Sequence, residues 1–128
     1  MAERTTAPRS TSTSGVSSAQ ARGITRELLS KGNPVPGREE DVLTAVSELI
    51  ANAKQHAGGV SGFQVASLPG AVLVEVSDPS PEPPVTRPWA PTRPGGFGWR
   101  LVNQLADKVT VTVHDGGKTI AVTCTSRG

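Results

Sequence analysis

Apolar residues recur along the chain in two rhythms, and the changes between them mark out its elements. From Arg38 to Ala57 the residues Val42, Val46, Leu49, Ile50, Ala53 and Ala57 share one helical face. Glu39, Glu40 and Asp41 fill the first turn of that segment and Gly58 follows as a stop, so the spacing predicts the main core helix here. An earlier helix is expected from Val16 to about Leu29, where Ile24 and Leu28 stand four apart, with NPVPG at 33–37 ending it. The runs GFQVASL and AVLVEVS, separated by Pro69 and Gly70, read as antiparallel strands joined by a tight turn. In the second run Val72, Val74 and Val76 alternate with Leu73, Glu75 and Ser77, which puts one strongly apolar face on that strand. After GGFG at 95–98, WRLVNQLADK carries Leu101, Val102, Leu105 and Ala106 at helical spacing. The chain then alternates again through Val109, Val111 and Val113, turns at DGG 115–117, and continues through Ile120, Val122 and Cys124. A hairpin with one buried face is predicted there.

This order of elements makes an α+β domain, a two-layer sandwich with helices on one face of a mainly antiparallel, mixed sheet. Two segments stand outside it. Residues 1–15 are rich in Thr, Ser, Ala and Arg, and ordering them would cost backbone entropy with little burial to offset it, so a disordered tail is expected. Residues 79–94 hold seven of the eleven prolines, too many for a helix or central strand, and are read as a lid loop within the domain at 16–128.

Composition narrows the picture mainly by exclusion. The 128 residues suit one domain with one core. Thirteen basic and eleven acidic residues, scattered to a net charge of +2, form neither a nucleic-acid stripe nor a membrane patch. Cys124 is alone, with no partner for a disulfide or a structural zinc, and reads as a small buried hydrophobe. The first residues lack the apolar core of a signal peptide and no stretch is long enough to span a bilayer, so a cytoplasmic location is expected.

Candidate chemistry is carried by a few polar residues. Glu48, Asn52 and His56 recur every four residues and form a slowly drifting stripe beside the Val46 face. This stripe is either a solvated flank, or a carboxylate and amide suited to magnesium, with Glu48 alternatively a general base. Asp78 ends a strand, where it is either a turn residue or an acceptor for an exocyclic amine such as that of adenine. Gly95, Gly96 and Gly98 lie just ahead of a predicted helix, as a hinge or as a close approach for phosphate to backbone amides. Arg100, in the first turn of that helix, either contacts an anion or is solvated. Trp99 is expected in the core or at the site edge, and Trp89 in the loop. His56 and His114 have no partners suited to a triad or a metal and are assigned structural or surface roles.

The strings AVSELIANAKQHAGG, VEVSDPSP and GGFGWRLVNQLADKV, in this order, resemble the three nucleotide-binding boxes of the GHKL superfamily of ATPases and kinases. Within it the likeness is to the anti-sigma-factor serine/threonine kinases of RsbW type and their single-domain actinobacterial relatives, over residues 16–125. The resemblance implies a Bergerat-type ATP-binding fold with nucleotide held between helices and sheet. By position, it makes Glu48 the general base, Asn52 the magnesium ligand, Asp78 the adenine-binding aspartate, and Gly96 with Gly98 the phosphate loop. Relatives continue the aspartate motif into glycines, where this chain has Pro79, Ser80 and Pro81, and they carry a strand ahead of the first helix. The function implied is an ATP-binding anti-sigma regulator that phosphorylates an antagonist protein. The alternative is an ATP-dependent binding module without phosphoryl transfer. Partners implied are an anti-sigma antagonist or a sigma factor, with allowance for a homodimer.

Overall fold

The helix predicted over 38–57 becomes the centre of the structure, a computed structural model that describes residues 9–12, 15–83 and 96–127. Along the chain the elements are β1 (Arg9–Ser12), α1 (Ser18–Ser30), α2 (Glu39–Ala57), β2 (Gly62–Leu68), β3 (Ala71–Asp78), α3 (Gly96–Leu105), β4 (Lys108–His114) and β5 (Gly117–Thr125). The five strands form one sheet in the order β1-β2-β3-β5-β4, and the fold is the α+β sandwich expected. Every pairing among the described strands is antiparallel, so the sheet is not mixed.

Local signals account for the helix ends. Ser17 and Gln20 make a reciprocal capping box at the start of α1, Ser17 Oγ accepting from Gln20 N at 3.0 Å and Gln20 Oε1 from Ser17 N at 2.9 Å. α2 keeps its acidic first turn and ends on Gly58 in the left-handed conformation. α3 departs from expectation. It begins at Gly96, so Gly96 and Gly98 belong to its first turn rather than preceding it, and it stops at Leu105 because Lys108 already starts β4.

The core lies between the helices and one face of the sheet. Val72, Val74 and Val76 of β3 face directly across to Cys124, Val122 and Ile120 of β5, and all six are buried against α2 residues including Val42, Val46, Leu49 and Ile50. Such a ladder pins register, since a slip of one residue would turn each of these side chains away from the helices. Burial pushes the Cys124 thiol up from its ordinary pKa, in keeping with a packing role. The outer hairpin is less buried than the alternation predicts. Val109 and Val111 pack against the core only in part, and Val113 is 53% exposed because β4 is the sheet edge and runs past the helices.

The N-terminal segment also differs from the tail reading. Residues 9–12 form β1, paired antiparallel with β2 from Arg9 opposite Ala66 to Ser12 opposite Phe63. Backbone pairing to an existing sheet edge orders this polar stretch without needing apolar side chains. Residues 1–8, 13–14, 84–95 and 128 lie outside the described residues, and with them most of the predicted lid at 79–94, Trp89 and Gly95. Among the described residues, no helix is long and apolar enough to cross a membrane.

Arg38, unremarked in the sequence, ties the layers together. Its side chain, 3% exposed, donates to Asp41 and Asp107 carboxylates at 3.2 and 2.7 Å and to the Leu105 and Thr125 carbonyls at 2.6 and 2.8 Å. Burial works against its charge, but the hydrogen bonds to Asp107 and Asp41 outweigh this and raise its pKa. Asp107 receives the Thr125 amide as well as Arg38, and the two together hold its carboxyl at about 2. A depressed folded-state pKa stabilises the fold above the unfolded value and loses that contribution as the pH falls through the folded one. Chemical denaturation between pH 5 and pH 2 should therefore show wild-type stability falling below about pH 4, with a smaller fall in Asp107→Asn. Arg38→Leu, which removes the donor shared by two carbonyls and two carboxylates, should cost about 2–3 kcal/mol at pH 7 in the same measurement.

Candidate functional site

The polar stripe of α2 does not run along a solvated flank. Asn52 is only 6% exposed, Glu48 is half-buried, and the stripe reaches open solvent only at His56. Among the described residues the Asn52 side chain makes no hydrogen bond to protein, and no buried side-chain nitrogen or oxygen is left unsatisfied, so its amide keeps contact with solvent.

Glu48 points at the start of α3. A Cβ placed on Gly98 would overlap Glu48 Oε1 and lie 3.3 Å from Glu48 Cδ, so only glycine at 98 leaves the carboxylate where it is. Gly98 is in the first turn of α3, and the free amides and positive dipole end of that helix attract anionic groups. Glycine here thus keeps open the space in which the α3 N-terminus meets Glu48. Trp99 packs partly into the core, and Arg100 is exposed. Because α3 starts at Gly96, Arg100 lies beyond the first turn, where its charge meets the positive end of the helix dipole only weakly.

Asp78 continues the parity of Val72, Val74 and Val76, so its carboxylate projects from the helix-covered face of β3, where that face runs off its apolar ladder. It is 1% exposed and accepts from Ser80 N at 2.9 Å, an Asx-type turn, and from Lys118 Nζ at 3.0 Å, both on Oδ1. Lys118, itself 2% exposed, also donates to Ser80 O at 3.2 Å. Asp78 is thus a turn residue, and it is a buried partner of Lys118 as well. At Gly117, with φ +144°, a Cβ would overlap the Asp78 carbonyl oxygen and lie 2.8 Å from Pro79 Cα. The DGG turn is thus more than a hairpin device, since it lets β5 run close against the backbone of the aspartate.

The site has two parts on present contacts. Glu48, Asn52 and Gly98 lie at the α2–α3 junction, and Asp78, Ser80, Gly117 and Lys118 lie at the end of β3 and β5. Among the described residues no hydrogen bond joins the two groups. Lys118, Ser80 and Gly117 are absent from the candidates raised by sequence. Lys118 had one visible signal, a charge in register with Ile120, Val122 and Cys124, but its pairing with Asp78 depends on the non-sequential adjacency of β3 and β5. His56 is exposed, and His114 is exposed and held to Thr119 Oγ1 and the Asp115 carbonyl at 3.0 and 2.9 Å, as befits surface roles. Among the described residues no three His, Cys, Asp or Glu groups converge as a metal cage.

An anion-attracting helix start beside the Glu48 carboxylate and a buried aspartate at the strand end thus both belong to one two-layer α+β domain. The chain belongs to the histidine kinase-like ATPase domain family, whose pattern matches residues 12–124. Fifteen chains of known structure match. One comprises the RsbU and RsbW domains of Rv1364c from Mycobacterium tuberculosis, with a TM-score of 0.67 and 20% identity over 92% of this chain. This chain spans only 32% of that one, and at such identity the likeness is one of fold. No curated protein matches. The likeness to GHKL nucleotide-binding boxes is thus borne out at the level of family, and ATP is the ligand that family supports.

The residues present fit such a ligand in their chemistry, since among the described residues the Asn52 amide reaches solvent without a protein partner and the first-turn amides of α3 at Gly98 attract anionic groups. Two glycine substitutions should separate site from scaffold. Gly98→Ala need only displace the flexible end of Glu48 and gains about 1 kcal/mol of helix propensity, so its melting temperature should hold or rise while ATP affinity falls. Gly117→Ala meets rigid backbone at a positive φ and should lower the melting temperature, by an amount equivalent to about 1–3 kcal/mol.

Proposed function

We propose that this chain is an ATP-binding regulator that, with magnesium, transfers phosphate to a serine or threonine of an antagonist protein in an anti-sigma system. The observation that carries this reading is the apposition of Glu48 to Gly98 at the start of α3, with Asn52 one turn along α2. Asp78 takes the exocyclic amine of the base, and the α3 amides around Gly96 and Gly98 approach the phosphates. Asn52 supplies its amide oxygen to magnesium, a hard cation that keeps several waters when bound to phosphate. Bound ATP with its metal supplies the phosphoryl group and neutralises part of its charge. Glu48 would accept the proton of the partner hydroxyl as its oxygen bonds to the γ-phosphorus and ADP leaves, and the α3 amides would offset the charge on the phosphates. The resemblance to RsbW-type kinases and the shared fold of the RsbW domain of Rv1364c support this choice of partner class.

A second reading, a binding module in which ATP shapes a partner surface without turnover, is favoured by one observation. Among the described residues, no hydrogen bond orients the Glu48 carboxylate as a triad orients its base.

Incubation with labelled magnesium-ATP and candidate antagonist proteins separates the two. The kinase reading expects labelled antagonist from wild type and a loss of about 10²–10⁴-fold in rate for Glu48→Gln, with ATP affinity changed by less than about tenfold. ATP binding without transfer to any antagonist would overturn the kinase reading and leave the binding module.

A further inference from the structure

The apolar ladder between β3 and β5 ends in a buried ion pair, Asp78 directly opposite Lys118. Desolvating two charges is costly, and such a pair persists where further hydrogen bonds complete it. The completion here is one-sided. Asp78 Oδ1 accepts from both Lys118 Nζ at 3.0 Å and Ser80 N at 2.9 Å, and Lys118 is braced in turn by the Ser80 carbonyl at 3.2 Å. A carboxylate oxygen offers two lone pairs, and both of those on Oδ1 are taken. Among the described residues, no donor reaches Oδ2.

We propose that Lys118 and the Ser80 amide make Asp78 a one-oxygen acceptor and so set which purine the site accepts. The 6-amino edge of adenine presents one donor beside the acceptor N1, and Oδ2 alone satisfies it. The guanine edge presents adjacent N1–H and N2–H donors, which pair with a carboxylate through both oxygens, and Oδ1 has no lone pair left for the second. Lys118 is thus a positioning residue that acts through Asp78, selecting 6-aminopurine over guanine nucleotides. The aspartate alone would serve either base. This inference rests on the reading of Asp78 as the residue that meets the base.

Calorimetric titration of the full chain with magnesium-ATP and magnesium-GTP tests it, on wild type, Lys118→Met and Ser80→Pro. The last removes the amide donor while keeping the ion pair, and it carries the test if Lys118→Met shows no cooperative melting transition. Wild type should bind ATP at least about tenfold tighter than GTP, the worth of one hydrogen bond to a charged group. Each folded variant should narrow that ratio by about tenfold, GTP gaining relative to ATP. A merely structural role would weaken both nucleotides in parallel, and that result overturns the proposal. Equal binding of ATP and GTP by wild type also overturns it, leaving the ATP reading intact, whereas binding of neither removes the ATP reading itself.

Discussion

The site depends on how α2 lies against α3, and the buried guanidinium of Arg38 holds one end of that pairing. Arg38, at the start of α2, grips the Leu105 carbonyl at the end of α3, while Glu48, further along α2, meets Gly98 at the beginning of α3. The two helices therefore run antiparallel, joined at points about 15 Å apart along α2. Arg38 also grips Thr125 and Asp107, so the same side chain ties both helices to the last strand. A long salt-bridged network of this kind is no general source of stability, but here every nitrogen of the buried guanidinium is met by a carboxylate or carbonyl oxygen. The consequence for function is positional. The start of α3 cannot leave Glu48 without either releasing Arg38 or bending the helix.

The second constraint is the ladder between β3 and β5. Three apolar pairs, Val72–Cys124, Val74–Val122 and Val76–Ile120, fix the register that places Asp78 opposite Lys118. Side-chain alternation then directs both charges to the helix-covered face, at the point where the apolar ladder ends. Gly117 permits the last step by letting β5 press against the Asp78 backbone. The polar ends of the site are thus delivered by two different devices, helix pairing and strand register. A ligand reaching from Asp78 to the α3 start would join them.

Periodicity made most of the fold legible. The face of α2, the turn at Pro69 and Gly70 and the alternation in β3 and β5 are short-range patterns, and the structure follows them closely. β1 was not legible, because its order comes from pairing to β2 rather than from its own Thr and Ser side chains. The start of α3 was misplaced for a similar reason. Gly96 and Gly98 are poor helix formers in isolation, and the packing of α3 on α2 overrides that preference. At the site, Glu48, Asn52, Asp78 and Gly98 were visible as residue types in a recurring order. Lys118 and Arg38 were not, since each acts through contacts with residues 40 or more positions away, which no local pattern encodes.

In the proposed function one nucleotide bridges the two halves of this site. A crystal structure of the chain with a non-hydrolysable ATP analogue and magnesium tests it most directly. The purine amine is expected on Asp78 Oδ2, the phosphates against the first turn of α3 at Gly96 and Gly98, and the metal on the Asn52 side chain. A nucleotide bound elsewhere, or one whose base sits away from Asp78 while its phosphates avoid the start of α3, would contradict it.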